Sequence, residues 1–351
     1  MTILAERFVH VIGVDTHKRS LTAAVLNSVG GVLQSCEVPA NAAGHAQLLT
    51  MAACYAGPVL WAIEGTGSYG AALTEQLVVA GHAVTEVDRP RRPTRKHGKS
   101  DQIDAVRAGR EALTMKQLNR PRRRGEREEL RVLEVTRAEL VRTKTGLANH
   151  LQDLVVTSSE TLRQRFLEFN PRSHASERLA KKCASARLSR RLTAEDQTRL
   201  RTMRDVSRLI LELGGQADAY EREMKRLVEA MAPGLLGQPG LGTLTAAQVL
   251  VSWSHSGRIA SEAAFASLAR VAPIPASSGQ TVRYRLNHGG DRKLNSALHL
   301  VVLNRCRYDQ ATRDYVARRS GEGKTQREIR RCLKRYLARQ LFRFLSGLDK
   351  G

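Results

Sequence analysis

Two aspartates three residues apart, Asp101 and Asp104, follow directly on the densest basic run of the chain in HGKSDQIDAVR, His97 to Arg107. At i and i+3 on a helix they share one face. Two further acids close apolar runs: Asp15 in VIGVDTHK and Glu64 in WAIEGTGSYG. Carboxylate oxygens gathered at one place suit hard divalent cations, and two such ions about 4 Å apart activate an attacking oxygen and stabilise a leaving one in phosphodiester chemistry. Singly, each acid has a structural reading as well. Asp15 and Glu64 suit a strand end and a turn, and the Asp101/Asp104 pair suits the first turn of a helix capped by Ser100. Jointly, beside a basic arm, the four read as a metal-binding set that cuts a polyanion. His17, next to the first acid, either tunes that site or is a surface histidine at a strand end, and the sequence leaves both open.

The elements that must position these acids are legible in the first hundred or so residues. FVHVIGVD (8–15), SLTAAVLN (20–27) and GVLQSCEV (31–38) are three strand-like runs with short links, as in an antiparallel meander. A helical stretch at about 42–54 follows, then PVLWAIEG (58–65) as a buried strand, a helix over about 69–80, HAVTEVD (82–88) as a fifth strand, and a helix from near Ser100. The order βββαβαβα is that of a ribonuclease H-like α/β fold, whereas a doubly wound nucleotide-binding sheet alternates from the start. In such a sheet the ends of the first and fourth strands are neighbours.

Between the fifth strand and its helix lies RPRRPTRKHGK (89–99), with six Lys or Arg, no acid and two prolines. It reads as an extended basic arm in which Arg91, Arg92, Arg95, Lys96 and Lys99 meet phosphate. A second basic link, NRPRRRGER (119–127), leads into a helical region reaching to about residue 231. Met203, Val206, Ile210, Leu213, Ala217, Tyr220, Met224, Leu227 and Met231 form a heptad seam there, interrupted by Gly214-Gly215. Leu130 to Leu154 repeat the spacing with Arg137 and Lys144 at seam positions. A coiled coil for self-association and a pair of helices packed within one chain both fit. Beyond Pro233, QPGLGTLTAAQVLVSW (238–253) has a G-x-G turn before a Thr-capped helix, a helix-hairpin-helix cue whose amides can hold a phosphate. A short apolar segment (264–274), a polar loop (275–293) and two helices to about 346 complete the chain. The last helix, Lys324 to Arg343, carries eight Lys or Arg against one acid.

The whole chain, 351 residues, has 57 Lys and Arg against 34 Asp and Glu, a formal net charge of +23. A field of that size holds a protein on DNA or RNA. Aromatic residues make up 4% of the chain, too few for a base-stacking platform, so contact with phosphates and duplex shape is expected. Cys36, Cys54, Cys183, Cys306 and Cys332 are scattered and never in C-x-x-C spacing, which fits reduced thiols rather than disulfides or zinc. The segment MTILAERFVHVIGVD does not read as a signal peptide, and no apolar run approaches the ~20 residues that span a bilayer. A cytoplasmic protein with no membrane association is expected.

In IGVDTHK, AIEGTGSYG and GKSDQIDA, then QPGLGTLTAAQVL, FASLARVAPIPASSGQ and HGGDRKLNSAL, the chain resembles the transposases of the insertion-sequence-110 family, the bridge-RNA-guided DEDD recombinases. The resemblance runs over nearly the whole chain with its motifs in order. It implies a domain like the Holliday-junction resolvase RuvC over residues 1–118, a helical coiled-coil middle over 119–232, and a mainly α C-terminal transposase domain over 233–351. It implies Asp15, Glu64, Asp101 and Asp104 as the DEDD set, holding two Mg²⁺, with Mn²⁺ able to substitute. It also implies a serine nucleophile in PIPASSGQ, at Ser278 or, one residue earlier, Ser277. A serine hydroxyl attacking the scissile phosphate would give a phosphoserine link that conserves bond energy for strand exchange. Arg283, Arg285, Arg292 and Lys293 then read as phosphate clamps, or as solvated surface. The implied partners are duplex DNA at the donor junction and target, a structured non-coding guide RNA, and further copies of the chain in homodimers or homotetramers.

Three other functions compete at this point. A hydrolytic nuclease or junction resolvase would use the same acids with water. A sugar-kinase-like ATPase also opens with a strand ending in Asp, but DTHKRS lacks the Gly-rich phosphate turn that should follow. A non-catalytic repressor would tolerate Asp15→Asn and need no metal.

Overall fold

The computed structural model describes residues 3–88, 100–166, 175–189, 192–276 and 284–348. The chain forms two compact units, Met1–Arg124 and Gly125–Gly351.

In the first unit, β1 (His10–Thr16), β2 (Ser20–Asn27) and β3 (Val32–Pro39) form the expected antiparallel meander. α1 (Ala42–Ala53), β4 (Val59–Glu64), α2 (Ala71–Val79), β5 (Ala83–Val87) and α3 (Asp101–Thr114) follow. The sheet order is β3-β2-β1-β4-β5, with β4 parallel to β1 and β5 parallel to β4. This mixed sheet with helices is the α/β arrangement read from the sequence.

Strand alternation decides which side chain meets which layer. Ile12 and Val14 of β1, with Trp61 and Ile63 of β4, pack in one cluster with Leu48 of α1 and Leu73 and Leu77 of α2. The intervening Val11, Leu60 and Ala62 face the other way, onto Ala108 and Ala112 of α3. The sheet-facing stripe of α3 is made of small residues, Ala105, Ala108, Gly109 and Ala112, which lets the helix lie close on the strands. At the tightest point Gly13 of β1 touches α3 backbone: a Cβ on Gly13 would lie 2.0 Å from the Ala105 carbonyl oxygen and 2.6 Å from the Gly109 nitrogen. No residue larger than glycine fits there.

The second unit is helical. α4 (Glu126–Val156), α5 (Glu160–Phe166), α6 (Ala175–Ala184) and α7 (Ala194–Met231) make its first half. α4 and α7 pack along their length, and Met203, Ile210, Ala217, Met224 and Leu227 of the α7 seam are buried within this one chain. The residues that disturbed the heptads are accommodated in the same packing. Arg137 of α4 pairs with Glu221 of α7 at 2.6 Å, and the Lys144 side chain lies over Gly214. The short helices α5 and α6 between them are not separately resolved by the sequence pattern, and they close one end of the pair through Leu162, Phe166, Ala180 and Cys183.

α8 (Thr243–Trp253), α9 (Glu262–Leu268), the short pair β6 (Ile274–Pro275) and β7 (Tyr284–Arg285), α10 (Arg292–Tyr308), α11 (Gln310–Gly321) and α12 (Gln326–Gly347) complete the unit. Trp253, Phe265, Leu298, Leu337 and Leu341 share a core with Leu130, Met224 and Val228. Two details correct the sequence reading. The N-cap of α8 is Gly242, and threonine acts from inside the helix, the Thr245 hydroxyl accepting from the Gly242 N–H at 3.0 Å. The region after the polar loop also holds three helices rather than two. Asp309 ends α10 and caps α11, its carboxylate accepting from the Thr312 N–H at 2.9 Å, and such a cap stops one helix while starting another. Among the described residues no helix is long and apolar enough to cross a membrane.

All five cysteines are free thiols. Cys183 is fully buried, and burial above all pushes its thiol up to about 11. At pH 8 only about one such thiol in a thousand is thiolate, the reactive form. Iodoacetamide at that pH is expected to label the exposed Cys54 and spare Cys183, as read by peptide mass spectrometry. Equal labelling of the two would overturn the burial of α6 against α7.

Candidate metal centre

The alternation that seats α3 also builds the site. Val11, Gly13 and Asp15 share the α3-facing side of β1, and Leu60, Ala62 and Glu64 share that of β4. β1 and β4 are parallel and in register through Val14 and Ile63, so their last acids fall at the same sheet edge. The small-residue stripe of α3 continues one turn further back as Asp104 and Asp101. Ser100 caps this turn by accepting from the Ile103 N–H, as its sequence position suggested. One helix face therefore changes from packing to chemistry at the point where it passes the strand ends.

The strand ends are tied together by the Thr16 hydroxyl, which donates to the Glu64 carbonyl at 2.9 Å. The chain leaves β4 through Gly65 at φ +75°, a left-handed conformation that favours glycine. Asp15 and Glu64 are only 6% and 7% exposed, whereas the Asp101 and Asp104 side chains are 46% and 22% exposed. Two acids thus form the floor and two the rim.

The side chains divide into two halves. In one, His17 Nε2 lies 3.2 Å from Asp15 Oδ2 and 3.4 Å from Asp101 Oδ1, and one ligand atom from each of the three residues lies within 4.8 Å of the others. In the other, the Arg107 guanidinium donates to Glu64 Oε2 at 3.0 Å and to Asp104 Oδ1 at 2.5 Å. Burial pushes the Asp15 carboxyl above the usual carboxylate range; His17 opposes that rise, while Glu64, Asp104 and Asp101 reinforce it. The other three predicted acids therefore all act electrostatically on Asp15.

A divalent cation fits this donor set on its chemistry. Oxygen donors converge, two of them nearly withdrawn from water, and the like charges raise the cost of ionising Asp15 until a cation joins them. Asp15 and Asp101, with His17 beside them, would hold one such ion, and Glu64 and Asp104, which Arg107 now bridges, a second. His17 adds a nitrogen donor, which suits Mn²⁺ better than Mg²⁺.

The sequence reading left His17 open between site and surface; the structure puts it in the site. Arg107, Glu111 and Asp88 stand near the same acids, and no sequence motif marks them. Arg107 stands three residues after Asp104 and Glu111 four after Arg107, a spacing that places all three on one face. Burial and the nearby charges of Asp88 and Glu64 push the Glu111 carboxyl up, and Arg107 opposes them. Asp88 directly follows Val87, the last residue of β5 and the partner of Glu64, so an acid also stands just beyond the end of a third strand.

Of the other expected site residues, Arg91, Arg92, Arg95, Lys96, Lys99, Ser277, Ser278 and Arg283 lie outside the described residues. The ends of the serine loop are described. Ile274 pairs with Arg285 and Pro275 with Tyr284, and Asp291 caps α10 by accepting from the Lys293 and Leu294 N–H groups at 2.9 and 3.0 Å. Arg285, Arg292 and Lys293 are exposed.

Residues 12–158, which include all four acids, match a family model of the DEDD type described as "Transposase". Residues 234–317, which include both candidate serines, match a second, described as "Transposase IS116/IS110/IS902 family". The chain is also 33% identical over 133 residues to a Streptomyces coelicolor protein described as "Insertion element IS110 uncharacterized 43.6 kDa protein". That match takes in 37% of this chain and 33% of the relative, so the chain spans about a third of the relative's length.

Proposed function

The chain belongs to the IS110 family of transposases, and on that premise we propose that it excises and inserts its own element by metal-dependent strand exchange on DNA. The observation that carries this reading is the convergence of Asp15, Glu64, Asp101 and Asp104 at one sheet edge of a protein with net charge +23. Bound divalent cations, Mg²⁺ in the first place, would polarise the scissile phosphate and offset the charge that develops on it. The protein's own contribution is to fix the carboxylates. Asp15 and Glu64 are held by the sheet, Asp101 and Asp104 by the capped first turn of α3, and Thr16 locks the two strand ends together.

In this reading residues 1–118 carry the metal-binding acids, 119–232 space and associate the protomers, and 233–351 carry the nucleophile. The Ser278 hydroxyl attacks phosphorus, the 3′ oxygen leaves, and the 5′ phosphate stays on the serine until the new strand displaces it. Arg283, Arg285, Arg292 and Lys293 around that loop, and the basic arm from Arg91 to Lys99, hold the backbone through charge. A structured RNA from the same element would read donor and target by base pairing while the protein recognises shape and phosphate, a division of labour also found in RNA-guided nucleases. The protein would work in the cytoplasm as a dimer or tetramer.

Covalent trapping tests the reading. The protein is incubated with Mg²⁺, end-labelled junction and target DNA and the element's non-coding RNA, beside Ser277→Ala, Ser278→Ala and Asp104→Asn. A denaturation-resistant adduct lost in Ser278→Ala and Asp104→Asn is the expected result. Free cut ends without adduct, unchanged by either serine substitution, would make the protein a hydrolytic nuclease or junction resolvase.

A further inference from the structure

We propose that Arg107 is a displaceable countercation of the carboxylate site, holding Glu64 and Asp104 when no metal is bound and moving one helical turn to Glu111 when metal binds. The inference rests on the metal reading above and deepens it.

Three observations carry it. First, the guanidinium bridges one acid from the sheet and one from α3, at 3.0 and 2.5 Å, and so occupies the charge position that a cation would take between them. It cannot stay there and leave both carboxylates free for a metal. Second, the seat is imperfect: Arg107 Nε is buried with no hydrogen-bond partner among the described residues. A guanidinium satisfied on one edge only is easier to move than one held on every N–H. Third, there is somewhere to go. A groove of about 710 Å³ between β3 and α3 is lined by Val32, Ile103, Val106, Arg107, Arg110 and Glu111. Glu111 lies four residues beyond Arg107 on the same helix face and has no ion pair among the described residues. Arg107 thus stands between two acidic neighbours on its own helix, Asp104 before it and Glu111 after it.

Two consequences follow for loading. The Asp15, His17 and Asp101 half accepts a cation without moving Arg107, so it fills first. The Glu64 and Asp104 half fills only as Arg107 leaves, which makes binding of the second cation the weaker step. The arrangement also keeps the acids together in metal-free protein, where their mutual repulsion would otherwise splay them.

Calorimetric titration of the full-length protein with Mn²⁺ tests this, on wild type, Arg107→Gln, Glu111→Gln, the double variant, and Asp15→Asn as the control for the metal reading. Arg107→Gln is expected to bind the second equivalent on the order of tenfold tighter, since a competing positive charge is gone. Glu111→Gln is expected to bind it several-fold more weakly, and to have no effect when Arg107 is already glutamine. Should Arg107→Gln fail to fold, Arg107→Lys serves instead: it keeps the charge but loses the two-pronged grip and should bind more tightly than wild type. Unchanged or weaker Mn²⁺ binding in the folded Arg107 variant, with wild type binding normally, overturns the inference and leaves the metal reading standing. If wild type binds no Mn²⁺, or Asp15→Asn binds as wild type does, the metal reading falls as well.

Discussion

Asp15→Asn is expected to reduce strand cleavage by ~10³-fold or more, about 4 kcal/mol of barrier, while leaving the metal-free protein more stable than wild type. The two effects have one cause. Asp15 is 6% exposed, and burial pushes its carboxyl up, with Glu64, Asp104 and Asp101 adding to the rise and His17 opposing it. A group whose folded value is raised favours folding while protonated, below the ordinary carboxylate value, and that contribution is lost as pH rises through the folded value. At neutral pH without metal, Asp15 is therefore a charge the fold bears at a cost. Asparagine keeps the shape and removes the charge, which stabilises the metal-free protein at neutral pH, but it cannot supply an anionic metal ligand. Thermal unfolding in EDTA across acid to neutral pH should show the variant gaining on wild type as pH rises. A variant less stable than wild type at neutral pH in EDTA, or one that still cleaves, would show that Asp15 is a structural cap.

Gly13→Ala has the largest structural effect expected. The added Cβ would sit 2.0 Å from the Ala105 carbonyl oxygen and 2.6 Å from the Gly109 nitrogen. Both obstacles are backbone, so no rotamer change relieves them and α3 itself must back away from the sheet. That movement opens the layer formed by Val11, Leu60, Ala62, Ala108 and Ala112, for an expected loss of at least ~3 kcal/mol. It also carries Asp101 and Asp104 off the strand ends, so Mn²⁺ affinity should fall even where the unit still folds. Gly67→Ala is the matched control, since a Cβ there meets nothing within 4 Å, and it should stay within about 0.5 kcal/mol of wild type. Urea unfolding of the three proteins decides the matter; near-equal midpoints would mean that β1 and α3 are not in contact.

What could be read in advance was whatever local pattern determines. β2 runs from Ser20 to Asn27 as its apolar run indicated, Glu64 ends β4, and Asp15 stands one residue before the end of β1, because the apolar runs stop there. The four acids were found because each lies at the end of an element, where sequence cues are strongest. Side-chain partnership across elements was not legible. Nothing local tells that His17 turns back between Asp15 and Asp101, or that Arg107 crosses from α3 to Glu64. Lys144 looked like a defect in a heptad until Gly214 supplied the space for it. The extra C-terminal helix was missed for a related reason: Asp309 serves both α10 and α11, so no loop-like composition separates them.

The way the sheet brings its acids together also sets when they can meet. β1, β2 and β3 pair with near neighbours in the chain, but β1 reaches β4 only across the intervening meander and α1, and α3 comes later still. Contacts between distant segments form late because loop-closure entropy must be overcome first. A nascent chain that has made only its meander carries Asp15 with no partner acids, so the cutting centre does not exist until the first unit is nearly whole. A cation that binds only the finished centre acts on escape from the native state more than on the approach to it, and so slows unfolding without hastening folding.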